Sequence, residues 1–285
     1  MKQISPRMAQ KQINSVHTHN TIRWEEGRSF FIPEDNISPE LPLAIRLITG
    51  SSHNRKTHEL AITMRTPGQD QALTIGYLFA EGIIGQAKQV SSTNLVDFNN
   101  LEIELYPSVK FNAAQHQKSS FSNSACGLCS KTSLEQLDQT TCFFPTPGAP
   151  LIQPTILNKL SKSLYQQQSL FKLTGGMHAA ALFDRKGRLL LSQEDVGRHN
   201  AMDKLIGISL QQGLMPWRDK IVFLSSRLSF ELVQKAAMAG TPILAAIGAP
   251  STLAIEMAEQ SGMTLIGFLR DDRFNVYTYP ERVDL

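Results

Sequence analysis

Long apolar runs are missing from this 285-residue sequence, and no stretch approaches the ~20 consecutive apolar residues that a membrane-spanning helix needs. The opening Met1-Lys-Gln-Ile-Ser-Pro-Arg7 lacks the apolar stretch of a secretory signal. The expectation is a soluble, cytoplasmic protein. Cysteine is scarce: three in the chain, an odd count that argues against a disulfide scaffold and leaves reduced, reactive or metal-binding thiols. A large excess of one charge is lacking as well. Lys and Arg number 28 against 25 Asp and Glu, and the surplus sits in residues 1–30, where Lys2, Arg7, Lys11, Arg23 and Arg28 outnumber Glu25 and Glu26. Nucleic-acid binding wants a basic domain or stripe, and the balanced remainder offers none. Also absent are G-x-G-x-x-G and G-x-x-x-x-G-K-[ST], which removes a dinucleotide Rossmann site and a P-loop, and the H-x-E…P-C-x-x-C of zinc deaminases. What is present, 41% hydrophobic and 19% charged residues, suffices for a buried core.

The pattern along the chain divides it into four parts. Residues 1–30, rich in Gln, Asn, Ser, Thr and His without a period, read as a flexible tail, with order beginning near Glu40. Residues 31–115 read as a smaller α+β domain. Leu41–Ile48 and the alternating Thr57–Arg65 suit strands, Pro67-Gly68 breaks the chain, and Asp70 is placed to cap a helix carrying Leu73, Tyr77, Leu78 and Phe79. Leu101–Leu105 is a further short strand. Residues 116–153 hold all three cysteines among Ser, Gln, Thr and Pro and read as a long loop or linker, a length usually kept for function. Residues 154–285 read as an α/β domain. A helix over Ile156–Gln167 and a hairpin (Ala179–Asp184, Leu189–Ser192) precede a helix over Asn200–Leu210. Strands Ile221–Leu224, Ile243–Ile247 and Thr264–Phe268 then alternate with helices Ser229–Ala239 and Leu253–Gln260, with Phe274–Thr278 as a possible edge strand. Such alternation implies βαβ units and a largely parallel sheet.

Three places can carry chemistry. In Cys126-Gly-Leu-Cys129 two thiols can converge on one point, which suits zinc ligation, dithiol redox, or sulfur carriage as a persulfide. Zinc needs about four ligands, and Cys142 and His116 are the nearby candidates. Thioredoxin-like redox wants a βαβ context, whereas this pair sits in a polar loop, as a carrier that visits donor and acceptor would. The reactive form is the thiolate: at a pKa of ~8.5 about 3% is ionised at pH 7, and at ~6.5 about three quarters. Second, Thr174-Gly-Gly-Met-His178 precedes a strand, and Glu194-Asp-Val-Gly-Arg-His-Asn200 follows one. Strand ends are where open α/β sheets place ligands. Singly these side chains have structural uses, Asp195 as a helix cap and Arg198 as partner of Glu194; together they point to a site. Third, Ser225-Ser-Arg-Leu-Ser229, Gly248–Thr252 and Phe268-Leu-Arg-Asp-Asp-Arg273 each follow a strand. Hydroxyls, guanidinium groups and helix N-termini there suit a phosphate-bearing ligand.

These same motifs resemble the formate dehydrogenase accessory sulfurtransferase family. The likeness runs through Thr174–Ala181, Glu194–Lys204, Ser225–Lys235 and Gly267–Tyr277, with Glu40–Ala44, Thr66-Pro67 and Gly76–Ile84 in the first half, over roughly residues 40 to 280. The resemblance implies a C-terminal cytidine-deaminase-like α/β domain without that fold's zinc motif, preceded by the smaller α+β domain, and a homodimer. It implies a sulfurtransferase that accepts sulfur from a cysteine desulfurase as a persulfide. The sulfur then passes to the molybdenum cofactor, bis(molybdopterin guanine dinucleotide), before that cofactor enters formate dehydrogenase. The cofactor is bound as substrate, and no resident metal, nucleic acid or membrane partner is expected. Residue by residue, Cys126 matches the persulfide bearer and Cys129 its assistant. Phe268, Leu269, Arg270, Asp271, Asp272 and Arg273 match the cofactor-binding stretch. Ser226, Arg227, His178 and His199 lie in motifs expected near the nucleotide or the transfer path. The chain departs from the family at Ser130, where Gly is usual.

Two other readings stand beside this one. A molybdenum-cofactor chaperone would tolerate loss of Cys126, and a zinc-stabilised protein would hold a metal on Cys126, Cys129, Cys142 and His116.

Overall fold

The structure, a computed structural model, describes residues 16–113 and 144–285. It begins with an antiparallel hairpin of β1 (His17–Glu25) and β2 (Arg28–Ile37). This corrects the expectation of a tail through residue 30 with order from near Glu40. The turn is Glu26-Gly27, with φ of 49° and 81°, the pair of positive values that a tight two-residue hairpin turn demands. Nearly every hairpin side chain is exposed, so no inside–outside alternation marks the strands in sequence, although Thr21, Ile22, Trp24, Phe30 and Phe31 are strand formers.

A four-stranded sheet follows, in the order β4-β3-β6-β5, with β3 Leu41–Thr49, β4 Lys56–Arg65, β5 Val90–Asp97 and β6 Asn100–Leu105. β3 runs antiparallel to β4 and parallel to β6. Leu43, Ile45 and Leu47 alternate onto the buried face beside Leu101, Ile103 and Leu105. Helix α1 (Asp70–Ala80) belongs to the same core. Asp70 does not cap it. The N-cap is Gln69, in the left-handed region and without a side-chain bond, and the Asp70 carboxylate takes Nε and a terminal nitrogen of buried Arg65, each at 2.9 Å.

The second half contains α2 (Pro154–Gln167), α3 (Ser169–Thr174), β7 (His178–Asp184), β8 (Leu189–Asp195) and α4 (Arg198–Gln211). Then come β9 (Lys220–Leu224), α5 (Phe230–Met238), β10 (Ile243–Ala246), α6 (Thr252–Gln260), β11 (Thr264–Gly267) and β12 (Asn275–Thr278). The sheet order is β12-β11-β10-β9-β7-β8. It is mixed rather than largely parallel. β9, β10 and β11 are parallel, while β7 opposes both β8 and β9, and β12 opposes β11. Helical crossovers join the parallel strands, whereas the tight Asp184–Arg188 turn forces β8 back along β7. α4 then links β8 to β9 past the intervening β7.

α2 buries Leu157, Leu160 and Leu164 on one face of this sheet, with Ala181, Phe183, Phe223 and Ile266. The other face, with Leu182, Val222 and Leu244, shares one continuous core with α4, α5, α6, α1 and the four-stranded sheet. α1 and α4 meet backbone to backbone. A Cβ on Gly76 would lie 1.9 Å from the Asp203 carbonyl oxygen, and one on Gly207 1.9 Å from that of Ala72. The two halves are therefore joined along a helix pair that only glycine permits. Among the described residues no helix is long and apolar enough to cross a membrane.

Candidate functional site

Parallel strands β9, β10 and β11 end at one edge of the six-stranded sheet, and antiparallel β7 begins there: Ala180 pairs with Leu224, and Leu224 with Ala246. His178 pairs with Asp195 at the same edge, which also brings the start of α4 there. The topology thus collects His178, Arg198, His199, Ser226, Arg227 and the Phe268–Arg273 loop. β7 and β11 are three strands apart, about 14 Å at ~4.8 Å per strand.

The loops at this edge are laced together by backbone. Gly248 donates to the Ser226 carbonyl, Phe268 to that of Gly248, and Leu269 to that of Ala246. Phe268 has φ 52°, a left-handed conformation costing a side-chain-bearing residue about 1–2 kcal/mol. Such strain gathers at ligand-holding loops. Phe268, Arg270, Arg273 and Asn275 line an open pocket of about 270 Å³. Arg270 is partly committed, donating to the carbonyls of Ile247 and Leu269 at 2.8 Å each. The guanidinium groups of Arg227 and Arg273 make no hydrogen bond or ion pair with a described residue. Asp271 and Asp272, which precede Arg273 in the loop, are exposed. Leu269 faces the opposite way, fully buried in the core, so its contribution is to anchor the loop. Ser226 is buried and its hydroxyl donates to the Arg227 carbonyl at 2.9 Å.

The β8–α4 junction is held by the first half of the chain. Asp195, fully buried, accepts from the Thr66 and Gly197 amides and from Asn200, and pairs with Lys204 at 2.6 Å. Asn200 in turn bonds the Thr63 hydroxyl and the Met64 carbonyl. Glu194 does not meet Arg198. Its two oxygens accept from the amides of Leu170 and Phe171 at the start of α3, backbone donors that sequence distance hides. His199 Nε2 lies 2.8 Å from Glu231 and 3.3 Å from Ser229 Oγ. The His199 hydrogen bond holds the Glu231 carboxyl below its usual range, while burial, then Arg198 and His199, push His178 below the ordinary imidazole value. Ser229 enters the sequence reading only as the end of the Ser225–Ser229 loop, and Glu231 is not singled out there as a site residue. In sequence a serine and an acid at a helix start read as capping, yet the Ser229 side chain makes no cap bond. Cys126 and Cys129, with Cys142 and His116, lie outside the described residues.

Fold and candidate site together define a mixed α/β protein with cationic side chains gathered along the strand ends of its six-stranded sheet. The FdhD/NarQ family profile matches residues 42–284, and the chain belongs to that family. Sulfur carrier protein FdhD from Streptomyces avermitilis is 42% identical over 274 residues, covering 93% of this chain and 94% of that one. Its namesake from Sulfurisphaera tokodaii is 39% identical over 252 residues, covering 88% and 93%. A crystal structure of a formate dehydrogenase accessory protein from Desulfotalea psychrophila shares the fold, with TM-score 0.70 at 21% identity over 94% of this chain and 99% of that one.

Proposed function

We propose that this chain is a cytoplasmic sulfur carrier for formate dehydrogenase maturation. The Cys126 thiolate takes the outer sulfur of a cysteine desulfurase persulfide, the desulfurase thiolate leaves, and Cys126 becomes the persulfide. Cys129 assists as a nearby thiol. The acceptor is bis(molybdopterin guanine dinucleotide), bound as substrate along the strand ends through the Phe268–Arg273 loop that Leu269 anchors, Arg227 and His178, with His199 beside the site, before its insertion into formate dehydrogenase. The observation that carries this reading is the gathering of guanidinium groups at the sheet edge, those of Arg227 and Arg273 without a partner among the described residues, in a chain whose sequence also holds Cys126-Gly-Leu-Cys129. Two pyrophosphates on the ligand supply the negative charge that Arg227 and Arg273 lack among the described residues. The order β8-β7-β9-β10-β11 with β7 reversed supports the cytidine-deaminase-like reading of the C-terminal half. Two copies associate in this reading, and the exposed apolar face of the β1–β2 hairpin supports that.

The test is a peptide mass map after incubation with a cysteine desulfurase and cysteine. The expected result is added sulfur on the Cys126 peptide, removed by reductant and absent in Cys126→Ala. No added sulfur while the desulfurase turns over would overturn the carrier role and favour a cofactor chaperone, in which Cys126→Ala still supports formate dehydrogenase activation.

A further inference from the structure

Arg198, at the start of α4, is placed unlike the other arginines of the sheet edge. Its Nε is buried, and no part of its guanidinium finds a hydrogen-bond or ion-pair partner among the described residues. A buried charged donor without an acceptor is unfavourable, and each such group in a native structure calls for an explanation. The carboxylates around it are already engaged. Asp195 is saturated by Lys204, Asn200 and two amides. Glu194 is spent on the amides of α3. Glu231 is close enough to feel the Arg198 charge, but its oxygen is held at 2.8 Å by His199, which also touches Ser229. His178, paired with Asp195 across β7 and β8, is half-buried and within electrostatic reach of both Arg198 and His199. The cluster therefore carries a fixed cation, and Glu231, an acid that feels its charge, is drawn to His199 instead.

We propose that Arg198 binds a phosphate-type anion of the ligand, with His178 beside it, and that His199 is a positioning residue that keeps Glu231 from quenching Arg198. This rests on the reading of the strand ends as a nucleotide-bearing cofactor site and extends it to a position toward β7, apart from the Phe268–Asn275 pocket. Guanidinium suits the role because it can present two parallel donors to one phosphate.

The experiment is calorimetric titration of the full chain with inorganic pyrophosphate and with guanosine diphosphate. Arg198→Gln is expected to weaken both at least tenfold, and Arg198→Lys to lose less. His199→Gln, which frees Glu231 to pair with Arg198, is expected to weaken them comparably, and adding Glu231→Gln to His199→Gln restores binding toward wild type. That rescue is a pattern a merely structural histidine would not produce. Circular dichroism and thermal melting accompany each variant, and Arg198→Lys serves if Arg198→Gln does not fold. Wild-type affinity in both Arg198 variants, or a wild type that binds neither probe, overturns the proposal. Arg198-dependent binding without sulfur uptake at Cys126 leaves this anion site standing and removes the sulfur-carrier reading instead.

Discussion

Lys204 and Asp195 show what single side chains do in this molecule. Both are buried, and their 2.6 Å contact is backed by Thr66, Gly197 and Asn200. Replacing a buried pair wholesale can be neutral, but removing one partner leaves a charge without compensation. Lys204→Met is expected to cost about 3–5 kcal/mol in urea unfolding, and adding Asp195→Asn should recover part of it. Acid acts on other residues. His178 has a folded pKa below its ordinary 6.5 because burial and neighbouring cations oppose its protonation. The unfolded chain therefore binds this proton first, and the stability it reflects, full above about pH 6.5, is lost as pH falls toward the folded value. Glu231, lowered from 4.5 by His199, adds a loss that begins near its unfolded value and continues as pH falls through its folded one. Thermal melting from pH 7.5 downward should show Tm falling, and His178→Gln should flatten the portion just below pH 6.5.

At the scale of elements, the α1–α4 contact is the tightest joint. Both helices carry glycine where the partner's backbone passes, and the carbonyl oxygens occupy the space a Cβ needs. Neither neighbour is a flexible side-chain end, so relief requires moving a helix. Gly76→Ala or Gly207→Ala should destabilise by about 3 kcal/mol or more, at or beyond the upper part of the range for overpacked cores, despite the better helix propensity of alanine. Denaturant midpoints measure this. Because α4 begins with Arg198 and His199, the same variants should weaken pyrophosphate binding, whereas a purely local fault would leave it unchanged.

The whole molecule is a layered stack whose two halves share one core, with the site's β8–α4 junction fixed by residues 63–66 of the first half. Beyond that stack stands the hairpin. Ile22 opposes Phe31, Trp24 opposes Ser29, and the three apolar side chains on this one face are 74%, 65% and 71% exposed for Ile22, Phe31 and Trp24. A lone two-stranded ribbon is marginal in water, and aromatic side chains on a free face favour burial against a partner. If two copies meet through this face, Trp24→Lys with Phe31→Glu should halve the mass seen by light scattering while circular dichroism stays constant. An unchanged dimer mass would place the interface elsewhere.

Much of the second half is legible in the sequence because its information is local. Apolar runs such as Ile221–Leu224 and Ile243–Ala246, punctuated by Ser and Gly, mark strands buried on both faces. The loops after them are where polar, cationic side chains accumulate. The hairpin was not legible, since exposed strands carry no burial pattern, nor was β5, most of whose side chains face outward. The direction of β7 relative to β9, the turning of Leu269 into the core, and the partners of Glu194, Asp195 and His199 were decided by tertiary structure alone. Each depends on chain segments 20 to 130 residues apart meeting at one point. Short-range periodicity records which residues are apolar and where the chain turns, whereas a hydrogen bond or ion pair between distant segments leaves no trace in either neighbour's local sequence.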